Sequence, residues 1–340
     1  MNETDEAFVL LSINKAGSWN EFKQSISQWE LNPLIFTYAD RNGNIGVAET
    51  GTNSPRSSFN PDAGFITDSR LPGRADMLLS GMDTRDMRSI KRMQSDIYSI
   101  EGVEWKALIA AYASNGSQLY PILEKWDGLM KAGSGGAAAY AQFIITLAKV
   151  VLEPKLGEEL FIRFSHFDWL IRDGLIGLFQ GNRLTADEKK AYLDTALENA
   201  GTSLGEMLGS NQTTWSWGAL HSLTFRHILG RNSLLSQSLN RGPFPLGGNG
   251  STLFENGAGL DGSHEVQRAA LARLIMDTGS PDNSTAMLAP GQSGHALDEH
   301  YRDQIQLFLG DMVHATLMDT AKIRRSGWKR LLLQPEYPVR

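Results

Sequence analysis

The chain has 340 residues, of which 41% are hydrophobic and 21% are charged, with a formal net charge of −6. This composition is typical of a folded globular protein and excludes disorder of the chain as a whole. The spread of acidic charge argues against nucleic acid as a main partner. Because there is no cysteine, disulfides, thiolate metal sites and a cysteine nucleophile are excluded as well.

Two features bear on export and on membranes. The first six residues are acidic where a signal peptide is basic, and the apolar run after them is short. The longest apolar segment, residues 137–152, carries Gln142 and Lys149 and therefore predicts a buried helix that falls short of a membrane span. We expect no membrane partner, and these features leave the compartment open.

The N-terminal part of the chain alternates short apolar runs with turn signals. Residues 7–13 predict a strand. Ser18 predicts the cap of a following helix, with Glu21 as its capping-box partner. The β-type runs 34–40 and 45–49 are joined by a turn that contains Asn-Gly, which predicts a β-hairpin.

Beyond the hairpin the pattern changes from strand to helix. Residues 51–62 are rich in Ser, Pro, Asn and Gly and predict a loop, after which residues 64–67 predict a short strand. Helical periodicity then dominates up to residue 204 and predicts an α-rich layer. The predicted helices of this region cover residues 74–79, 84–94 (with Asp83 near the cap), 105–112 and most of 126–204.

The C-terminal part mixes strands with turns. Residues 273–277 and 285–288 predict two strands around a turn at residues 280–283. The segment 290–294, Pro-Gly-Gln-Ser-Gly, predicts a sharp turn because glycine reaches positive φ without steric cost. From Asp298 onward the apolar spacing predicts an amphipathic helix.

Four polar side chains around the start of this helix have two interpretations. Either they line a functional site, or they satisfy one another and buried backbone groups where the loop crosses the core. We favour the second interpretation. The four side chains are His295, His300, Asp303 and Gln304.

The common catalytic motifs are not found. His221 and His227 lie six residues apart without a third ligand nearby, which argues against a zinc site. No serine lies in a G-x-S-x-G elbow. The glycine-rich run 247–250 lacks the lysine of a phosphate loop. Asp96 and Glu101 are more typical of solvated carboxylates than of an acid-base pair.

Seven short motifs nevertheless follow one another over nearly the whole chain. They are Tyr38 to Gly46 with Thr50-Gly51, Gly64-Phe65-Ile66, Gln94-x-Asp96, Trp126-Asp127-Gly128, Trp217-Gly218-x-Leu220-His221, Gly242-Pro243-Phe244 with Gly247-Gly248, and Pro290 to Gly294 leading to His300-Tyr301-x-Asp303-Gln304. In this order and spacing the chain resembles the β-chain of the penicillin acylase family, whose members are N-terminal-nucleophile hydrolases.

The resemblance implies an α+β fold, specifically part of an αββα sandwich with a large helical layer. It also implies hydrolysis of linear N-acyl amides such as penicillins or acyl-homoserine lactones. In that reaction an N-terminal serine attacks the acyl carbon, and its own α-amino group is the base. Backbone N–H groups and an asparagine side chain hold the oxyanion. Family members are usually periplasmic or extracellular.

The chain departs from the family at the positions that carry chemistry. The segment that begins with the serine nucleophile precedes the part matched here, so we predict no catalytic residue in this chain. After Gly64-Phe65-Ile66 the chain continues as Thr67-Asp68-Ser69-Arg70-Leu71, which puts Arg70 or Leu71 where the oxyanion asparagine belongs. The family's calcium-binding connection is shortened here, so we expect no calcium and no other cofactor.

These observations predict one penicillin-acylase-like region over residues 1–340, with a sheet part (1–70), a mainly helical part (71–210) and a mixed part (211–340). The candidate substrate-binding residues are Arg70, Arg74 and His221. Two functions stay open: an amidohydrolase that is active only with a partner chain carrying the serine segment, and a non-catalytic relative that keeps the shell as a binding or structural protein. An incomplete gene would give the same sequence as either.

Overall fold

The computed structural model describes residues 6–50, 57–67 and 72–327. Helices and short antiparallel strands alternate along these residues, which confirms the predicted α+β class. The helices are α1 (Glu6–Lys15), α2 (Trp19–Ile26), α3 (Pro72–Ser80), α4 (Met87–Gln94), α5 (Ile100–Tyr112), α6 (Tyr120–Lys125), α7 (Gly135–Leu156), α8 (Glu158–Ser165), α9 (Asp168–Gln180), α10 (Ala186–Leu208), α11 (Trp217–Leu220), α12 (Ser233–Leu239), α13 (Ile305–Leu309) and α14 (Thr320–Arg325). The strands are β1 (Ile35–Ala39), β2 (Ile45–Glu49), β3 (Ser57–Phe59), β4 (Ser222–Phe225), β5 (Arg241–Pro245), β6 (Asn256–Gly257), β7 (Arg268–Ala269), β8 (Ala272–Ile275), β9 (Thr285–Leu288) and β10 (His314–Ala315).

The predicted β-hairpin is confirmed and forms the first sheet, with the strand order β1-β2-β3. Its turn is held by the Asp40 carboxylate, which accepts hydrogen bonds from the backbone N–H groups of Asn42 and Asn44 at 2.8 and 3.1 Å. Gly43 takes a φ of 85°, which only glycine adopts without strain. Helix α2 covers one face of this sheet, and its predicted cap is confirmed because Ser18 Oγ accepts from the Glu21 N–H. The predicted capping box is not formed, since the Glu21 carboxylate accepts from the Gly17 N–H at 2.8 Å.

Two strand predictions in this part are wrong. Residues 7–13 lie in helix α1, where Val9 and Ile13 are one helical turn apart and face inward. A short apolar run has no periodicity that separates a strand from a helix. Residues 64–67 form no strand, since Gly64 has a φ of 67° and turns the chain. The third strand is β3, which falls inside the predicted loop; residues 51–56 lie outside the described residues.

The helical body is built around α7, against which α10 packs along its length. Helix α7 is long and apolar enough to cross a membrane, but 72% of its most apolar window is buried inside the protein. It is the buried helix predicted from residues 137–152. At its side, Trp105 of α5 packs edge-on against Phe143 and Phe179, with ring centroids 5.8 and 5.3 Å apart. These aromatic pairs hold α5, α7 and α9 together.

The helix predicted from Asp298 onward is interrupted. A 3₁₀ turn at Glu299–Tyr301, capped by Asp298, is separated from α13 by residues 302–304. The Gln304 N–H donates to the Pro290 carbonyl, and its side-chain oxygen accepts from the Leu288 N–H at 2.8 Å. These two bonds tie the segment to the end of β9, and this tertiary anchor outweighs the helical pattern. The predicted strands at residues 273–277 and 285–288 are confirmed as β8 and β9.

A close approach at the start of α7 gives a direct stability test. A Cβ atom on Gly136 would lie 2.6 Å from ring carbons of Trp126, which stacks on Tyr140. We expect Gly136→Ala to lower the free energy of unfolding by about 1–3 kcal/mol, the usual cost of overpacking. The matched control is Gly174→Ala, on the open surface of α9, which should be neutral or stabilising by up to about 1 kcal/mol. Urea unfolding measures both variants, and equal effects would contradict the packing.

Candidate functional site

The candidate substrate-binding residues do not converge. Arg70 lies outside the described residues. Arg74, on α3, donates from Nε and Nη2 to the two carboxylate oxygens of Asp96 at 2.9 and 2.6 Å, and its guanidinium lies 4.5 Å above the Tyr98 ring. Its third nitrogen contacts the sulfur of Met77. Every guanidinium nitrogen therefore has a protein acceptor, and Arg74 clamps α3 to the segment that follows α4.

His221 is fully buried at the end of α11. Its ring stacks on Trp217 with centroids 4.2 Å apart, and its Nδ1 shares a 2.8 Å hydrogen bond with the His264 carbonyl. Burial lowers the pKa of His221 from 6.5 to about 4, so the ring is neutral near pH 7. His221 shares no contact partner with Arg74 among the described residues.

A second buried histidine extends this cluster. His264 Nε2 forms a 2.8 Å hydrogen bond with the side-chain oxygen of Gln142 on α7, and burial lowers the pKa of His264 to about 4 as well. Trp217 donates from Nε1 to the Gly248 carbonyl. These contacts connect α7, α11 and the glycine-rich run. The arrangement is a packed polar core that a substrate does not reach.

The polar side chains near residue 300 fit the second of their two interpretations. His300 Nδ1 forms a 2.8 Å hydrogen bond with Asp303, and this bond raises the pKa of His300. Gln304 anchors the backbone of β9. His295 uses its backbone N–H to bond Ser293 Oγ. His300, Asp303 and Gln304 thus serve one another and the main chain, whereas the exposed side chain of His295 makes neither contact among the described residues.

Metal binding finds no support in residues 6–50, 57–67 and 72–327. No group of three or more His, Asp or Glu side chains in these ranges is placed to hold an ion. None of these described residues is therefore assigned to the calcium site that the family resemblance implies.

A cleft of about 730 Å³ between α5, α9 and the segment 250–269 was missed by sequence reasoning. At its floor Asp168 is fully buried, and both of its oxygens accept from Arg268, at 2.8 and 3.2 Å. Arg172, one turn along α9, lies 3.8 Å from Asp168 and donates to Glu101 at 3.2 Å. Arg268 also donates to Glu255 at 3.1 Å. Acids and bases thus alternate along one wall of the cleft.

These ion pairs, called the ion chain below, lie in a buried environment that changes the pKa values of their members. Burial alone would lower the pKa of Arg172, but Glu101, Tyr140 and Asp168 outweigh it and raise the pKa. The guanidinium is therefore always charged. Burial, with the nearby Glu101, also raises the pKa of Tyr140, whose hydroxyl donates to Glu101 at 2.9 Å. The paired charges stabilise each other in an environment where an unpaired charge would cost several kcal/mol.

Two glycines let the backbone approach the charged side chains of the ion chain closely. A Cβ on Gly250 would lie 2.6 Å from Asp168 Oδ2, and one on Gly257 would lie 2.7 Å from Arg268 Nη2. The only sequence signal for the cleft was the spacing of Asp168 and Arg172, which places them on one helix face. Their partners lie about 70 to 100 residues away along the chain and belong to no motif.

Comparison with solved structures gives the class of fold. The chain superposes on thermostable penicillin G acylase from Alcaligenes faecalis with a TM-score of 0.60, covering 97% of this chain and 73% of that one at 16% sequence identity. This likeness confirms the predicted N-terminal-nucleophile hydrolase fold.

The family follows from the sequence. The sequence profile of the family described as penicillin amidase matches residues 1–72 and 63–325. The chain belongs to the penicillin amidase family, as the seven motifs indicated.

Among characterised relatives, acyl-homoserine lactone acylase QuiP of Pseudomonas aeruginosa is 28% identical over 255 residues, which are 67% of this chain and 30% of the relative. Penicillin acylase 2 proenzyme of Pseudomonas sp. SE83 is 29% identical over 274 residues, 76% of this chain and 35% of the relative. The chain spans about a third of the length of these relatives.

The buried histidines predict an acid-sensitive fold. Their pKa values are about 4 in the folded protein against 6.5 ordinarily, so the unfolded chain binds more protons between these values. Stability is therefore fully present above about pH 6.5 and falls as the pH drops toward 4, by on the order of 3 kcal/mol per histidine. Urea unfolding between pH 7.5 and 4.5 measures this slope.

Two variants separate these histidines from other acid effects. His221→Phe keeps a flat ring on Trp217 and should flatten the pH dependence. His166→Gln, at an exposed position, should leave it as in the parent chain. An unchanged slope in His221→Phe would show that His221 titrates normally.

Proposed function

We propose that this chain is the scaffold part of an amidohydrolase that cleaves linear N-acyl amides, with its nucleophilic serine on a segment outside the region matched here. The names of the two Pseudomonas relatives, an acyl-homoserine lactone acylase and a penicillin acylase proenzyme, support this substrate class. The word proenzyme also fits a precursor that is processed to free its catalytic residue.

The described part shows no conventional serine-histidine pair. Within residues 6–50, 57–67 and 72–327, no serine hydroxyl is hydrogen-bonded to a histidine ring. The buried hydroxyls of Ser99 and Ser251 bond each other at 2.8 Å. The buried rings of His221 and His264 bond a backbone carbonyl and an amide. These groups therefore do not form the Ser-His pair of a conventional serine hydrolase; the family's serine uses its own α-amino group as base.

The observation that carries the proposal is an exposed apolar face on the sheet β10-β9-β8. Leu274 is 56% exposed and Leu288 is 44% exposed, and the pairings Leu274 with Ala286 and Ala272 with Leu288 put all four side chains on one face. The opposite face carries buried side chains such as Met287. A sheet with apolar residues on both faces is typical of a strand layer that another layer covers.

The second candidate function is a non-catalytic relative that binds without hydrolysis. It is favoured by the resemblance, which puts Arg70 or Leu71 where the family has its oxyanion asparagine. An oxyanion donor is worth about 10² to 10³ in rate, so its loss would leave a complemented protein slow.

Activity measurements test the proposal. The purified chain alone should release no acid or amine from an N-acyl-homoserine lactone, because it supplies neither nucleophile nor base. Co-expression with the preceding segment of the P. aeruginosa relative, from its catalytic serine onward, should restore measurable hydrolysis. A co-expressed segment with that serine changed to alanine is the control.

Turnover by the chain alone would contradict the proposal if a fluorophosphonate probe also labelled the 340-residue chain. Labelling of another protein in the preparation would identify a contaminant. Binding of the added segment without hydrolysis would favour the non-catalytic alternative.

The exposed sheet face predicts how the chain behaves by itself. We expect the isolated chain to self-associate in size-exclusion chromatography, because apolar surface of this kind is buried by association. The double variant Leu274→Thr/Leu288→Thr should shift the chain toward monomer. Leu234→Thr, at a position 87% exposed on α12, is the matched control and should shift it less. A monodisperse monomer of the unmodified chain would contradict this use of the face.

A further inference from the structure

Four asparagines of the chain are followed directly by glycine: Asn42, Asn115, Asn249 and Asn256. Such a pair can lose ammonia with no other reactant, because the backbone nitrogen of the glycine attacks the side-chain carbon Cγ of the asparagine and closes an imide ring. Glycine favours this reaction because it puts no Cβ beside the attacking nitrogen and lets the backbone rotate. The contacts around each pair therefore decide which asparagine reacts in the folded protein.

Two of the pairs are held inside the protein. Asn256 is fully buried in β6, where its Nδ2 donates to the Gly247 carbonyl at 2.9 Å. Asn249 is only 3% exposed, and its Oδ1 accepts from the backbone N–H and the hydroxyl of Ser251 at 2.8 and 2.9 Å. Neither side chain reaches the nitrogen of the following glycine without losing these buried bonds, which is costly. The fold thus protects both asparagines.

The pair at Asn42 is exposed, but its attacking nitrogen is occupied. The Gly43 N–H donates to the Asp40 carbonyl at 3.2 Å, and the Asn42 N–H donates to the Asp40 carboxylate at 2.8 Å. These bonds close the turn between β1 and β2. Ring closure at Asn42 therefore requires the turn to open first.

The pair at Asn115 has neither constraint. Asn115 and Gly116 are exposed in the turn between α5 and α6, and neither residue makes a hydrogen bond within the described part of the chain. A Cβ atom built on Gly116 would meet no other atom within 4 Å. The nitrogen of Gly116 is thus free to attack, and the imide ring has room to form.

The turn is anchored at both ends, so its exposure belongs to the folded state. Ser114 donates from its backbone N–H and its hydroxyl to the two carboxylate oxygens of Asp194, both at 2.7 Å, which ties the end of α5 to α10. Leu119, just before α6, is fully buried. Between these anchors the reaction proceeds without the unfolding of either helix.

From these contacts we infer that Asn115 is a site of spontaneous deamidation in the native protein. The Gly116 nitrogen bonds to Asn115 Cγ, the Cγ–Nδ2 bond breaks, and ammonia leaves with the proton of the Gly116 nitrogen. Water then opens the imide at either carbonyl, which leaves aspartate or isoaspartate at residue 115. The step needs water alone, and the inference does not rest on the proposed hydrolysis.

The product changes the charge of a small cleft beside the turn. Gly116 lines this cleft of about 470 Å³ together with Asp194 and Glu198 of α10. Deamidation adds a further negative charge next to these two carboxylates, and like charges repel each other. Isoaspartate also lengthens the backbone next to Ser114. Modified chains are therefore more acidic and have a weaker contact between α5 and α10.

Peptide mapping of the native chain, incubated at neutral pH and sampled over time, tests the inference. Asn115 should gain one mass unit at a rate at least about threefold that of Asn42, because the hydrogen bond on Gly43 must first break there. Asn249 and Asn256 should stay unmodified over the same period. An isoaspartyl methyltransferase should methylate mainly the peptide that contains residue 115.

The unfolded chain is the internal control for this selectivity. In guanidinium chloride the contacts that protect the other three pairs are lost, while the dipeptide chemistry stays the same. All four asparagines should then react at comparable rates.

Gly116→Ala tests the role of the free nitrogen directly. The added methyl group lies in open space but beside the attacking atom, so it should slow deamidation at Asn115 by at least about tenfold while the fold is kept. Gly174→Ala, at an open and exposed position on α9, is the matched control and should leave the rate unchanged.

Three results would overturn the inference. They are equal rates at Asn42 and Asn115 in the folded chain, an unmodified Asn115 in the folded chain while the unfolded chain reacts at all four sites, and an unchanged rate in Gly116→Ala.

Discussion

The buried carboxylate of Asp168 is the contact on which the arrangement of this molecule depends. It lies at the start of α9 and accepts hydrogen bonds from both terminal nitrogens of Arg268 on β7. It also lies 3.8 Å from Arg172, which donates to Glu101 on α5. The ion chain therefore joins the helical body to the C-terminal strands. Breaking a buried pair of this kind costs about 3–5 kcal/mol because a charge stays uncompensated, so the two parts are held in one relative position.

Local signals predicted local structure well. The hairpin around Asn42-Gly43 and the cap at Ser18 need only their neighbours, and both were correct. The prediction for residues 7–13 failed because a short apolar run fits a strand and a helix alike. The prediction after Asp298 failed because the bonds of Gln304 to the end of β9 interrupt the helix. The cleft could not be predicted, since Glu101, Asp168 and Arg268 lie in separate parts of the chain and meet only in the fold. Of the candidate site residues, Arg74 and His221 have structural partners instead of a shared cleft.

The described residues of this chain build the family's fold around buried polar contacts. Its helical core and strands superpose on a penicillin G acylase, and its buried histidines are neutral and hydrogen-bonded to a backbone carbonyl and to a side-chain amide. A fold of this kind positions reacting groups but does not supply them. Under the proposed function, the exposed leucines of β8 and β9 would contact the layer that carries the serine.

Hydrogen exchange at β8 and β9 tests this account most directly. The amides of residues 272–275 and 285–288 should exchange more slowly when the serine-bearing segment of a relative is bound than in the chain alone, while amides in α7 should keep the same rates. Unchanged exchange in both strands, with the segment shown to be bound, would contradict the claim that this sheet face receives the catalytic part.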